Sequence, residues 1–357
     1  MEQSLRTNAQ QQEWGDLQSE WDRHQATATG LDALNTASYS NYPFHSRNPY
    51  LLSHSRQYLP TNTLLEKEAD VQLSPENASA WLSLGLKQQE MEREPLAIQA
   101  LLRALELDSS LGEAWLGLAV SYTNDNLRGK AYSAIERWAE LQYDYSDVVQ
   151  DYTRRMDALG QGPSNAESMS LGQRHTYLTG LLVEMARAGA STEGFVDPEV
   201  QIALGVLFNA SEEYEKACDC FSTALAVRPD DSHLYNRMGA TLANSGKSVD
   251  AMEYYFRALE LQPDFARATF NLAIACINMG RHEEAAEHLL RSLQIQQHSD
   301  EDVGEPILQH ITESEHVESS NLLWETLATC CNNLKRADLA QACANRNLAP
   351  FRSVFTF

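Results

Sequence analysis

The chain has 357 residues, of which 43% are hydrophobic and 22% charged, and its formal net charge is −23. This length suits an array of repeats with appendages better than a single compact core. The negative charge argues against a nucleic-acid binder, which needs clustered Lys and Arg, and it favours cationic ligands. No apolar run approaches the roughly 18 residues of a membrane span, and no signal-peptide pattern follows Met1, so we expect a cytoplasmic protein.

Residues 1–43 are predicted to form a flexible N-terminal segment, because they are rich in Gln, Ser, Thr, Asn and Ala and lack a sustained apolar period. One short stretch within them is amphipathic, since Trp14, Leu17 and Trp21 share one helix face. This face either docks into a groove on a partner or folds back on the rest of the chain, and both interpretations stay open.

Residues 44–145 are predicted to form a first set of three repeats, whose units begin at Phe44, Ala78 and Gly112 and so keep a period of 34 residues. Each unit reads as two short antiparallel helices. The first unit is degenerate, because Thr63 stands where the later units have Ala. A poor match suits a terminal repeat with one face in water.

Residues 146–197 interrupt the period and are predicted to be a degenerate fourth repeat that acts as a hinge. They contain a run of Gly, Pro, Ser and Asn at 160–170, which indicates a loop. An ordinary insertion is the alternative interpretation.

Residues 198–299 carry the clearest pattern and predict a second set of three repeats. Gly205, Ala217 and Pro229 recur one period later as Gly239, Ala251 and Pro263. The spacing and the small residues are those of the tetratricopeptide repeat, in which stacked helix pairs share one continuous core. The sequence therefore predicts an all-α tetratricopeptide-repeat solenoid of about seven helix pairs. Residues 300–357 add an acidic loop and a C-terminal helical cap, in which Leu323, Trp324 and Leu339 contribute apolar positions.

The first helix of each unit places Asn residues on one predicted inner face. Arg267, Asn271 and Asn278 fall on one helix stripe, and Asn236, Ala240 and Asn244 form the same stripe one repeat earlier. The equivalent helices of other units end near Asn209, Asn124 and Glu90. An Asn ladder can bond the backbone of any extended peptide, and Arg suits a carboxylate. The pattern favours a site for a peptide end, although Asn is also common where helices end.

Five stretches resemble a known family more narrowly than the repeat itself does. Residues 48–51, 120–124, 204–209, 236–244 and 267–278 are similar to the cargo-binding repeats of the import receptor for the type 1 peroxisomal targeting signal. The resemblance extends from about residue 48 to the last predicted helices.

This resemblance implies a receptor that binds the C-terminal Ser-Lys-Leu-like tripeptide of peroxisomal matrix proteins, and that cycles between the cytoplasm and the peroxisomal membrane or matrix. The implied cargo-site residues are Asn124, Asn209, Asn236, Ala240, Asn244, Arg267, Asn271 and Asn278. Thr123 and Glu90 are weaker candidates, and Glu90 is expected to attract the Lys of the signal.

The resemblance does not extend to membrane docking. The family carries repeated Trp-x-x-x-aromatic motifs and a Cys near its start, whereas Trp14 here is followed four places on by Gln18, and the first Cys is Cys218. Peroxisomal docking proteins are therefore not among the partners that these residues imply.

Two other classes of function remain as alternatives. A co-chaperone-type tetratricopeptide adaptor would bind an acidic C-terminal chaperone tail through several Lys or Arg, but Asn outnumbers them on the predicted inner face. A scaffold without a peptide ligand is the other alternative. Catalysis is not predicted, because the sequence has no phosphate-binding Gly loop and no nucleophile elbow. The Cys and His residues show no spacing that suggests a metal or cofactor site.

Overall fold

The structure is a computed structural model that describes residues 42–45, 48–51, 59, 63–163, 169–191, 196–301 and 317–357. The chain divides into two compact units, Met1–Tyr42 and Pro43–Phe357, and every helix reported below belongs to the second unit. All regular elements in these ranges are helical, which confirms the predicted all-α class. The amphipathic face predicted at Trp14, Leu17 and Trp21 lies outside the described residues.

The first units form five helices with tight connections. They are α1 (Leu64–Leu73), α2 (Ala78–Glu90), α3 (Glu94–Leu107), α4 (Gly112–Asn124) and α5 (Arg128–Glu140). Asn77 begins α2, because its side chain accepts a hydrogen bond from the N–H of Ser79. Pro95 follows the start of α3, where a missing N–H costs nothing. A short 3-10 turn at Pro49–Leu51 precedes α1 and buries Tyr50.

The fourth unit is longer than the others and consists of α6 (Ser146–Ala158) and α7 (Leu171–Ser191). Residues 164–168 of the predicted loop between them lie outside the described ranges. Arg174 on α7 pairs with Glu136 on α5 at 2.9 Å, which ties this unit to the preceding one. The hinge role that we predict for this unit stays a prediction.

The second set of units is regular. Its helices are α8 (Pro198–Ala210), α9 (Tyr214–Val227), α10 (Ser232–Asn244), α11 (Ser248–Leu261), α12 (Ala266–Asn278) and α13 (His282–Glu301). Asp197 and Asp231 cap α8 and α10 by accepting backbone hydrogen bonds. Two final helices, α14 (Val317–Asn333) and α15 (Ala337–Ala344), cover the apolar side of α13. Leu323, Trp324 and Leu339 are buried there, and the role of these helices as a cap stays a prediction.

Two glycines let the helices of a pair approach closely. A Cβ atom on Gly205 would lie 2.5 Å from the ring of Phe221, and one on Gly239 would lie 2.6 Å from the ring of Tyr255. Real Cβ atoms do not make contacts this short. The large aromatic side chain of the second helix therefore requires Gly on the first helix, which explains the repeated pair in the sequence.

The first and last units of the array contact each other. The Gln296 side chain on α13 donates a hydrogen bond to the backbone oxygen of Met91 at 2.8 Å, across 205 residues. Lys87 Nζ on α2 lies 3.6 Å from Oδ2 of Asp264, which stands two residues before the start of α12. We call this junction of the turn between α2 and α3 with α12 and α13 the seam. The seam closes the array into a ring around its inner face.

None of the helices in the described ranges is long and apolar enough to cross a membrane.

Candidate functional site

Arg267 is the centre of the candidate site, at the start of α12. Its Nε donates a hydrogen bond to the backbone oxygen of Gln89 at 2.7 Å. Its Nη1 lies 3.2 Å from Oε2 of Glu92, and its Nη2 lies 2.6 Å from Oε1 of Glu94. Only about a tenth of the Arg267 side chain is exposed. The guanidinium that the sequence predicts for a ligand carboxylate is therefore held by acids of the seam.

The turn between α2 and α3 places both acids. Glu92 adopts a left-handed backbone conformation with φ of 62°, as do Asn126 and Glu212 at the equivalent turns, whereas the last two units have Gly246 and Gly280 there. A side chain in this conformation costs roughly 1 kcal/mol or more, and the repeat turn imposes it with or without Gly. Glu94 is the first residue of α3, where the helix dipole favours a negative charge.

Asn124, the last residue of α4, joins the same cluster. Its Nδ2 donates a hydrogen bond to Oε1 of Glu94 at 2.5 Å. The same oxygen is thus shared by Asn124 from the first set of units and Arg267 from the second. Glu94, which we did not predict as a site residue, thus brings together two predicted site residues, Asn124 and Arg267.

Asn236 and Asn271 form a second pair on neighbouring helices. Nδ2 of Asn271 on α12 donates a hydrogen bond to Oδ1 of Asn236 on α10 at 2.9 Å. Asn271 lies one helical turn after Arg267, so the amide pair and the guanidinium share one stripe of α12. Asn236 is buried in mid-helix, where neither a cap nor a turn accounts for its amide.

The remaining predicted site residues differ in whether their polar groups already have hydrogen-bond partners. Oδ1 of Asn209 is buried and accepts no hydrogen bond within the described ranges. Asn244 and Asn278 are the exposed last residues of α10 and α12, and Ala240 is half-buried. The Thr123 hydroxyl is occupied, because it donates to the Ala119 oxygen of its own helix at 2.7 Å.

Glu90 is engaged in the seam. Its carboxylate lies 2.8 Å from Lys87 Nζ and 3.2 Å from His233 Nε2, and it accepts a hydrogen bond from Gln262 at 2.9 Å. Burial raises the pKa of Glu90, but His233 and Lys87 outweigh it and bring the pKa to about 2. Its charge is thus already balanced, which leaves it little capacity to attract the Lys of a ligand.

Three other acids give the site a negative field. Burial raises the pKa of Glu92 to about 7, against the lowering effect of Arg267. Burial, reinforced by Glu94, likewise raises the pKa of Asp125 to about 7. Burial lowers the pKa of Arg267, but the neighbouring acids raise it above its ordinary value. One buried cation thus faces three acids, which is unfavourable unless protons or a cationic ligand reduce the charge.

Arg237, which we did not predict as a site residue, lies close enough to Arg267 for their charges to interact. It follows Asn236 on α10, and no carboxylate in the described part of the chain lies within 4.0 Å of it. Burial lowers its pKa against the raising effect of Asp231 and Glu199, and the nearby Arg228 and Arg267 lower it further. The signal was present in the sequence, since a basic residue directly follows the Asn of the inner stripe. Glu92, Glu94 and Asp125 had no such signal, because their meaning depends on the seam.

Comparisons with known proteins agree with this architecture. Residues 242–304 match the family described as Tetratricopeptide repeat. A Peroxisomal targeting signal receptor of Yarrowia lipolytica is 38% identical over 225 residues, which cover 60% of this chain and 36% of the relative. The Candida albicans protein of the same name is 38% identical over 53% of this chain and 30% of its own length. A PEX5-related protein of Mus musculus is 35% identical over 66% of this chain and 44% of the relative.

The matches thus span less than half the length of each of these relatives. Within the matched part, they confirm both the repeat and the resemblance that the motifs predict. The chain is a tetratricopeptide-repeat protein that is similar to the peroxisomal targeting signal receptors.

Proposed function

We propose that the chain is a receptor for the free C-terminal end of a peroxisomal targeting signal of the Ser-Lys-Leu type. The observation that carries this proposal is the convergence of Arg267, Asn124 and the Asn236–Asn271 pair on one inner face. The names of the relatives, which are targeting signal receptors, support the same class of ligand.

The amides supply recognition of the peptide backbone. Each Asn offers two N–H donors and one oxygen acceptor, so the ladder can bond successive peptide groups whatever their side chains are. Asn244 and Asn278 have no side-chain partner in the described ranges, and Asn209 has a free buried oxygen. An extended peptide along this face would satisfy these groups.

The charges supply recognition of the peptide end. Arg267 brings a guanidinium group to the inner face, and Arg237 lies near enough for the two charges to interact. Guanidinium groups form strong hydrogen bonds with carboxylates. Asp125 and Glu92, which are partly ionised near neutral pH, lie with Glu94 around the site and suit the ammonium group of the penultimate Lys. These three acids take the role that we first expected of Glu90.

The alternative of a co-chaperone-type adaptor is less well supported. An acidic chaperone tail would place several carboxylates beside Glu92, Glu94 and Asp125, where like charges repel. We infer that the receptor works in transport from the cytoplasm to the peroxisome. Peroxisomal matrix proteins would be its cargo, and docking proteins remain outside this proposal.

Fluorescence anisotropy of labelled peptides tests the function. One peptide ends in Ser-Lys-Leu with a free carboxylate, the second is amidated at the same end, and the third ends in an acidic chaperone tail. We expect saturable binding of the first peptide alone. Equal binding of the amidated peptide would contradict carboxylate recognition, and preferred binding of the acidic tail would support the co-chaperone alternative.

A further inference from the structure

Glu94 occupies two of the groups that the proposed function assigns to the ligand. Its Oε1 accepts the hydrogen bond from Nδ2 of Asn124 at 2.5 Å and lies 2.6 Å from Nη2 of Arg267. We propose that the Glu94 carboxylate is an internal stand-in for the ligand carboxylate, which the arriving peptide has to displace. This inference rests on the proposed function and adds a regulation of the same site.

The stand-in has the same chemistry as the ligand. A Glu side chain and a peptide C-terminus both present a carboxylate, and a donor amide together with a guanidinium stabilises either one in the same way. A site that is complementary to one carboxylate is therefore complementary to the other. In the free protein Glu94 bonds both Asn124 and Arg267, so that Nη2 of the buried Arg267 has a carboxylate partner.

Glu94 is held incompletely, which makes its displacement feasible. Its second oxygen, Oε2, is buried and accepts no hydrogen bond within the described residues. Burying an acceptor without a partner is costly, and release of the side chain into water removes that cost. Glu92 adds repulsion, because it lies against the other nitrogen of the same guanidinium at 3.2 Å.

The peptide gains contacts that Glu94 does not make. Its backbone can reach Asn271 and the free amide of Asn278, which lie on the same stripe of α12 as Arg267, and Asn236 on the neighbouring α10. Glu94, as the first residue of α3, can turn its side chain away without a change in the helix. A free carboxylate without a peptide lacks these additional contacts. Glu94 should therefore exclude small carboxylates, and it should lower the affinity for peptides that make few backbone contacts.

The experiment measures affinity in variants of Glu94. Glu94→Gln keeps the size of the side chain but removes the charge, and Glu94→Asp keeps the charge but shortens the reach. We expect both variants to bind the Ser-Lys-Leu peptide with a free carboxylate more tightly than the unchanged chain does, by about tenfold for Glu94→Gln, as a competing charged contact of ordinary strength would require. The affinity for the amidated peptide should change little in either variant.

Glu215→Gln is the matched control, because it removes the same charge from an exposed position in the first turn of α9. It should leave both affinities unchanged. Circular dichroism checks that each variant keeps its helix content, and Glu94→Asp keeps the test valid if Glu94→Gln does not fold.

The outcomes separate this inference from the function on which it rests. If the unchanged chain does not distinguish the free carboxylate from the amide, the proposed function fails and the stand-in fails with it. If the unchanged chain does distinguish them but both Glu94 variants bind as before or more weakly, the receptor function stands and the stand-in is refuted. If Glu94→Gln alone binds the peptide more tightly, the cause is a long-range effect of charge, and the stand-in is again refuted.

Discussion

At the scale of single residues, the chemistry of the inner face depends on which partners each polar group already has. Asn271 bonds Asn236, whereas Asn278 on the same helix is exposed and has no side-chain partner in the described residues. Arg267 carries ion pairs before any ligand arrives. Substitutions at these positions therefore have different expected effects, even though the sequence placed them on one stripe.

Asn271→Ala should weaken binding of the Ser-Lys-Leu peptide by about 1 to 3 kcal/mol, because it strands a polar group of the bound peptide and the oxygen of Asn236. The helix content should not change, since Ala is a good helix former. Anisotropy gives the affinity, and circular dichroism gives the helix content. Asn332→Ala, at an exposed position of α14, is the control and should bind normally. A melted Asn271→Ala protein would mean that the residue is structural.

Glu92→Gln should make stability less dependent on pH. The pKa of Glu92 rises from 4.5 to about 7 on folding, so the folded state favours the protonated form and loses relative stability as pH rises from about 4.5 through 7. The variant has no such loss. Between pH 5 and pH 8, the free energy of unfolding of the variant should therefore rise by about 1 to 2 kcal/mol relative to that of the unchanged chain. Urea unfolding at both pH values measures this difference, and parallel pH profiles would contradict the assigned pKa.

At the scale of elements, the pairing of helices depends on the small residues of the repeat. Gly205 and Gly239 each face an aromatic ring that leaves no space for a Cβ atom. In an exposed helix, replacing Gly by Ala stabilises by up to about 1 kcal/mol. At Gly205 and Gly239 the same replacement should instead destabilise the protein, because the added Cβ would collide with the ring.

Gly239→Ala should destabilise the protein by about 1 to 3 kcal/mol, because its Cβ would lie 2.6 Å from the buried ring of Tyr255. The matched control is Gly172→Ala on α7, where nothing lies within 4 Å of the added Cβ, and where we expect no loss of stability. Thermal unfolding of both variants measures the difference. An equal effect of the two substitutions would show that helix propensity, and not packing, decides.

At the scale of the whole molecule, the seam turns an open array into a ring. Its polar contacts include those of Arg267 with the α2–α3 turn, Gln296 with Met91, Lys87 with Asp264 and Glu90 with Gln262. Buried polar contacts of this kind hold the ends together only while all their partners are present.

The double substitution Arg267→Ala with Gln296→Ala should open the ring and leave the helices intact. We expect a larger radius of gyration in small-angle X-ray scattering, because the ends of the array lose their junction, with an unchanged circular dichroism spectrum. Arg154→Ala is the control, since Arg154 pairs with Asp151 three residues earlier on α6. An unchanged radius in the double variant would mean that stacking between units alone sets the closed form.

The sequence by itself determined the repeat, its phase and the stripe of Asn residues, because these depend on periods of 3.6 and 34 residues that neighbouring segments enforce locally. It therefore predicted the all-α repeat array, and it placed Asn236 and Asn271 on facing stripes, where the structure pairs them. The site assignment as a whole remains a proposal.

Only the tertiary structure decided the partners of Arg267, because they come from the other end of the array. Arg267 bonds Gln89 across 178 residues, a contact that arises from small rotations summed over all intervening units. No local pattern encodes that sum. For the same reason Glu92, Glu94 and Asp125 read as ordinary turn residues in the sequence, and the fold brings all three close to Arg267.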